Sequence, residues 1–196
     1  MNELSGSAYC VYKDEPKDKP RLVVTLAEFL ASFERPDYVV NGLMQRRFLY
    51  CLTGMTGAGK TAVAVLLATS VASRVLGQKF GPHEVQHGHV VYIAAENPLD
   101  VQMRFMALLD TPNLKASDID LLIIPRITNL DEQYADIARE IEAFGNVDLV
   151  IVDTSPAVFL GNDENSNTQM HEHAKRLRKL TELPGKPCVV SLWPSH

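Results

Sequence analysis

Eight consecutive residues, Gly54-Met55-Thr56-Gly57-Ala58-Gly59-Lys60-Thr61, carry the clearest chemistry in the chain. They match G-x-x-x-x-G-K-[ST] at every specified position, a pattern built to hold a polyphosphate. A polyphosphate needs several backbone N–H groups turned inward at once, and glycines at 54, 57 and 59 permit the dihedral angles and close approach required. Lys60 is placed to reach the β- and γ-phosphates, and the Thr61 hydroxyl to ligate Mg²⁺. With Ala62, which follows in the first turn of a helix, these residues form the candidate nucleotide-binding set.

Two acids stand at the ends of apolar runs. Leu149-Val150-Ile151-Val152-Asp153 is four apolar residues and then a carboxylate, the form in which a strand-end aspartate holds Mg²⁺ or its water. Thr61 and Asp153 are therefore the candidate metal ligands. Glu96 follows Val90-Val91-Tyr92-Ile93-Ala94, at the carboxyl end of a strand, where open α/β sheets keep their ligands. A second reading of Glu96 is a carboxylate favoured by the dipole of the helix that follows it.

The elements needed to position these groups are present in order. Phe48 to Thr53 reads as a buried parallel strand, and Thr61 to Leu76 as a helix stopped by Gly77. Pro98 to Leu109 is a helix capped by Asn97, Leu121 to Ile124 an edge strand ended by Pro125, and Asp131 to Phe144 an amphipathic helix. Ser166 to Leu183 is a further helix and Cys188 to Leu192 the last strand. Thr25 to Phe33 is a short helix with a Thr25/Glu28 capping box, preceded by a charged, proline-bearing linker from Tyr12 to Arg21.

Three segments admit a functional and a plain reading. Residues 37–47 could contact a base or ribose, or only pack the first strand. His83, His87 and His89 lie in a polar stretch with no completing Cys or carboxylate pattern, so a surface loop is expected rather than a metal site. Lys175, Arg176, Arg178 and Lys179 could meet phosphates, but they also suit the last turns of a helix as a solvated face.

Composition narrows the class. A chain of 196 residues, 46% hydrophobic and 22% charged, is long enough for one domain with a substantial core. The net charge of -5 supplies no overall basic field to draw nucleic acid. Cys10, Cys51 and Cys188 show no pairing or zinc spacing, and the N-terminus has no secretory pattern, so a reducing, cytoplasmic setting is expected. No apolar tract is long enough to span a bilayer, and no membrane association is expected.

The chain resembles the RecA-like ATPases, most closely the branch of plasmid RepA-type hexameric helicases and related phage and plasmid ATPases. The resemblance covers Asp37 to His196 and rests on Gly54 to Thr61, Val91 to Pro98, Leu149 to Asp153, Gly161 to Asn165 and the strand ending near His196. It implies a three-layer α/β fold with a mainly parallel sheet, in which the Leu121 strand lies at one edge, followed by the Val90, Leu149, Cys188 and Phe48 strands. It implies two parts, an N-terminal segment over 1–36 and an ATPase core over 37–196.

The resemblance also implies a mechanism. Glu96 orients and deprotonates the attacking water, Lys60 holds the phosphates, and His196 senses the γ-phosphate. An arginine arrives from a neighbouring subunit of a homo-oligomeric ring, a hexamer in the full-length protein, with ATP as substrate, Mg²⁺ as cofactor and single-stranded DNA as partner. Strands and loops that such proteins carry beyond this point are missing, as in a C-terminally truncated chain. Two other functions share the glycine loop: a small-molecule kinase, and a nucleotide-gated binding module without turnover.

Overall fold

A computed structural model describes residues 22–76, 78–126, 129–163 and 166–195. The chain divides into two units, Met1–Arg35 and Pro36–His196. In the first, helix α1 (Leu26–Ala31) starts at Thr25, whose hydroxyl accepts from the Glu28 amide at 3.2 Å while the Glu28 carboxylate accepts from the Thr25 amide at 2.7 Å. This is the expected reciprocal cap.

The second unit runs β1 (Tyr38–Val40), β2 (Met44–Gln45), β3 (Leu49–Gly54), α2 (Lys60–Ala72), β4 (Lys79–Phe80), β5 (His83–Glu84), β6 (Val90–Ala94), α3 (Pro98–Leu109), β7 (Leu121–Ile124), α4 (Leu130–Phe144), β8 (Leu149–Asp153), α5 (Asn167–Lys179) and β9 (Cys188–Pro194). Five strands form one parallel sheet in the order β3-β9-β8-β6-β7, the order the resemblance implies.

Alternation along each strand divides the core in two. Val90, Tyr92, Ala94, Leu149, Ile151, Cys188, Val190 and Leu192 face α2 and α3, together with Leu67, Ala68 and Val71. Val91, Ile93, Val150, Val152 and Val189 face the other way, against Ile141 of α4 and Leu177 of α5. Every residue of β6 and β8 is buried, which is why both read as unbroken apolar runs. The result is a three-layer α/β fold with helices on both faces of the sheet.

β3 departs from expectation. It pairs only with β9 among the described residues, and Phe48, Cys51 and Thr53 are exposed, so it is an open edge strand rather than a buried one. α2 also ends earlier than its composition suggests. At Ser73 the backbone turns extended and bridges Ile119, and the Ser73 hydroxyl accepts from the amides of Val75 and Leu76 at 3.1 Å each. Gly77, expected as the stop, lies outside the described residues. The last turn of the helix expected to reach Leu183 is instead a separate 3₁₀ turn over Leu180–Glu182.

Residues 37–47 form the β1–β2 hairpin, and their contacts set them at the rim away from the glycine loop. Arg46 pairs with Asp148, directly before β8, and its Nε lies 2.9 Å from Asp37; the Arg47 amide donates to Pro187 O, directly before β9, at 3.1 Å. These are the amino-terminal ends of the strands. Of the two readings of this segment the contacts support the packing one and not the base-contacting one, with Val39 and Val40 fully buried.

His83, His87 and His89 are tied to separate partners: Asn41 O at 2.9 Å, Asp120 at 3.2 Å and Asn146 O at 2.9 Å. His83 sits in a β4–β5 hairpin rather than an irregular loop. Arg176 and Lys179 each reach Asp131 on α4 at 2.8 Å, so these two cations join the two helices of one layer instead of forming a free solvated face. Among the described residues no helix is long and apolar enough to cross a membrane.

Candidate active site

The loop between β3 and α2 is shaped by two glycines in the left-handed region, Gly57 at φ +82° and Gly59 at φ +86°. Neither would meet a neighbour within 4 Å if it carried a Cβ, so the requirement at both is backbone conformation and not crowding. Lys60 begins α2 and folds back over the loop, donating from Nζ to Gly54 O at 2.8 Å and Met55 O at 3.0 Å. The Ser195 amide donates to Gly54 O at 3.0 Å, which ties the end of β9 to the start of the loop.

The two acids come from adjacent strand tips, since β6 and β8 are registered with Ala94 opposite Asp153. The Ala95 amide donates to Asp153 O at 2.8 Å, so Glu96 leaves β6 beside the aspartate. Thr154 Oγ1 donates to Glu96 Oε2. The Asp153–Thr154 peptide bond is cis.

Asp153 is 4% exposed, and its two oxygens have different donors. The Tyr92 hydroxyl donates to Oδ2 at 2.7 Å and the Thr61 hydroxyl to Oδ1 at 3.3 Å. Burial raises the Asp153 pKa above the ordinary carboxylate value; the bonds from Tyr92 and Thr61 oppose that, and the charges of Glu96 and Asp100 add to it. The same burial, reinforced by Asp153, pushes the Tyr92 hydroxyl up, so it stays protonated and donating.

These groups share one cleft of about 600 Å³ at the carboxyl ends of the strands. Thr56, Gly57, Gly59, Lys60 and Thr61 line it together with Glu96 and Asp153. Gly54, Met55, Ala58 and Ala62 belong to the same loop and helix start without lining the cleft, and Met55 is 73% exposed. Pro194 lines it at the end of β9, while His196 lies outside the described residues. So do Glu164 and Asn165, part of the stretch that carried the family resemblance.

Four side chains at the site were not singled out from sequence: Tyr92, Asp100, Arg104 and Thr154. Arg104 lines the cleft and donates from Nε to Asp100 Oδ2 at 2.7 Å, which raises its pKa and keeps it a cation. The i,i+4 spacing of Asp100 and Arg104 on a helix capped at Asn97 was the available signal. Tyr92 gave none, because within an apolar strand it reads as core.

A glycine loop opening a helix, beside two strand-end acids on a parallel sheet, defines a P-loop nucleotide-binding protein. The model of the AAA domain family matches residues 14–191, and the chain belongs to that family. It is also similar in fold to the crystal structure of a KaiC-like protein from the hyperthermophilic archaeon Pyrococcus horikoshii, with TM-score 0.53 and 19% identity over 81% of this chain and 68% of that one. No curated protein matches. The chain is thus an AAA-type, RecA-like P-loop ATPase domain.

Proposed function

We propose that this chain hydrolyses ATP with Mg²⁺ as the motor domain of a ring-forming DNA helicase or DNA-dependent ATPase of the RepA-type branch. The observation that carries the reading is the convergence of Glu96 and Asp153, from neighbouring strand tips, on the cleft that holds Lys60 and Thr61. Residues Gly54 to Ala62 wrap the triphosphate, with Lys60 moving from the loop carbonyls to the β- and γ-phosphates. Thr61 and Asp153 would hold Mg²⁺, a cation that suits a buried carboxylate with two further acids, Glu96 and Asp100, beside it. When bound, the ion neutralises charge developing between the β- and γ-phosphates.

Glu96 accepts a proton from the water that attacks the γ-phosphorus, the bond to the β-phosphate oxygen breaks, and ADP and phosphate leave. Thr154 fixes the rotamer of Glu96 through its hydrogen bond. His196, next after Ser195, senses the γ-phosphate. A neighbouring subunit supplies the arginine, a contribution of about 10³ to 10⁵ in rate, so the isolated chain binds ATP and turns it over slowly. The active assembly is a homo-hexamer acting on single-stranded DNA in the cytoplasm. The core spans 37–196 and the preceding 1–36 form a separate segment.

The test is Glu96→Gln. Nucleotide affinity stays within about threefold while single-turnover hydrolysis is lost by about 10²-fold or more. Turnover at the wild-type rate removes Glu96 from the mechanism. Adding single-stranded DNA is expected to stimulate the wild-type protein, whereas stimulation by nucleosides with phosphate transfer to them would make it a kinase.

A further inference from the structure

The groups so far assigned leave one buried polar pair unexplained. Ser155 and His173 are 0% and 1% exposed, and Ser155 Oγ lies 2.7 Å from His173 Nε2. Burial lowers the imidazole pKa to about 4, with the Arg176 charge assisting, so the ring is neutral at physiological pH. Its Nδ1 is buried without a hydrogen-bond partner among the described residues. A polar side chain placed in a core at that cost, when Leu or Phe would fill the space, calls for a reason. A nucleophilic role for Ser155 fails on access, since no solvent reaches it.

The geometry around the pair indicates what it does. Phe159 and Trp193 both meet the His173 ring edge-on, with centroids at 5.3 Å and 5.5 Å, which fixes its orientation. The ring, carried by α5, therefore presents Nε2 at a set point beneath the tip of β8. Ser155 is held there twice, by its side chain to His173 and by its amide to Leu192 O of β9 at 2.9 Å. The residue before it, Thr154, donates to Glu96, and the residue before that is Asp153.

We infer that His173 is a positioning residue for Glu96: through Ser155 it fixes the backbone at the β8 tip, so that the Thr154 hydroxyl holds the Glu96 carboxylate toward the cleft. His173 itself touches neither nucleotide nor water. It also joins three elements, α5, β8 and β9, at one point behind the acids. The inference rests on the assignment of Glu96 as the base in the proposed ATPase reaction.

The experiment compares wild type, Glu96→Gln, His173→Leu, His173→Gln, Ser155→Ala and Thr154→Val for single-turnover ATP hydrolysis and for affinity toward a fluorescent ATP analogue. His173→Leu removes the hydrogen bond and keeps an apolar filling; it is expected to lower the hydrolysis rate about tenfold with affinity within about threefold. His173→Gln, whose amide nitrogen can occupy the place of Nε2, recovers most of the rate. Ser155→Ala, which removes the same bond at a smaller side chain, reproduces the loss if the leucine variant does not fold. Adding His173→Leu or Ser155→Ala to Thr154→Val costs less than about twofold more, because both act along one route.

A folded His173→Leu or Ser155→Ala protein with wild-type turnover overturns the inference, as do equal losses of rate and affinity, or additive losses with Thr154→Val. If Glu96→Gln is inactive while the His173 and Ser155 variants are normal, the positioning role alone fails. If wild type shows no hydrolysis, or Glu96→Gln hydrolyses normally, the ATPase reading fails and takes the positioning role with it.

Discussion

Replacing Tyr92 with Phe isolates the hydrogen bond that holds Asp153. The change deletes one oxygen from a fully buried ring and keeps its edge-on packing against Phe105, with centroids at 5.8 Å. What is lost is a 2.7 Å bond to a carboxylate that is otherwise served by Thr61 at 3.3 Å. Bonds to charged groups contribute roughly 1.5–3 kcal/mol, so Tyr92→Phe is expected to cost about 2 kcal/mol where Asp153 is ionised. For a domain of this size that is about 4–8 °C in Tm.

The pH dependence has a definite sign. Tyr92 donates to the ionised carboxylate and so favours it, while burial lifts the folded pKa of Asp153 above its ordinary value. The contribution of the bond is therefore present above that folded pKa and shrinks as pH falls through it. Burial works the other way: a carboxylate whose folded pKa is raised binds its proton more tightly folded than unfolded, so ionising it destabilises the native state as pH rises. Both proteins carry that burial cost, and it largely cancels in the difference between them. Urea unfolding of both proteins without metal, at about pH 8 and at about pH 3, below the ordinary carboxylate value of about 3.9, reads the difference directly. A loss that is the same at both pH values, or a variant as stable as wild type at the higher one, would refute the assignment of Tyr92 as the support of an ionised Asp153.

Three further outcomes are expected. Gly185→Ala loses about 3 kcal/mol or more in urea unfolding, because Gly185 sits at φ +94° and a Cβ there would lie 2.3 Å from the Val147 carbonyl oxygen, which is backbone and cannot swing aside; a loss under about 1 kcal/mol contradicts this. Lys60→Ala weakens binding of a fluorescent ATP analogue by about tenfold or more, while the unliganded Tm barely moves, since the ammonium's partners among the described residues are the Gly54 and Met55 carbonyls. In the native protein Cys51 is alkylated before Cys188, as peptide mass spectrometry can show: Cys51 is exposed on the edge strand, whereas Cys188 is buried and its thiol is pushed up to about 12.

The parts of the fold that were legible in the chain are those whose cause is local. β6 and β8 are buried on both faces, so their apolar runs have no alternation to misread, and Asn97 marks the start of α3 by capping chemistry. The order of the strands came from family resemblance and not from any residue pattern. Elements set by distant partners were misread. α2 ends at Ala72 because the following serine bridges Ile119, and the β1–β2 hairpin is held by Arg46 to Asp148, 102 residues away.

The site divides along the same line. Lys60, Thr61, Glu96 and Asp153 were legible because each stands at a strand tip or in a spaced motif, whereas Tyr92 and His173 were not, because a tyrosine in an apolar strand and a histidine on an amphipathic helix look like packing. Their partners, Asp153 and Ser155, are 61 and 18 residues away. What unites the two hidden residues is that both place a polar group in the core next to an acid-rich cleft. Glu96 and Asp100 both raise the Asp153 pKa, so carboxylates that repel one another share the cleft, with Arg104 paired to Asp100 and Lys60 turned to the loop carbonyls. Here local preference and global fold disagree, and a cation held beside Asp153 would ease that repulsion. On the proposed reading, nucleotide and cation binding would relieve that repulsion and so stabilise the domain, which a rise in Tm with Mg²⁺ and an ATP analogue would show.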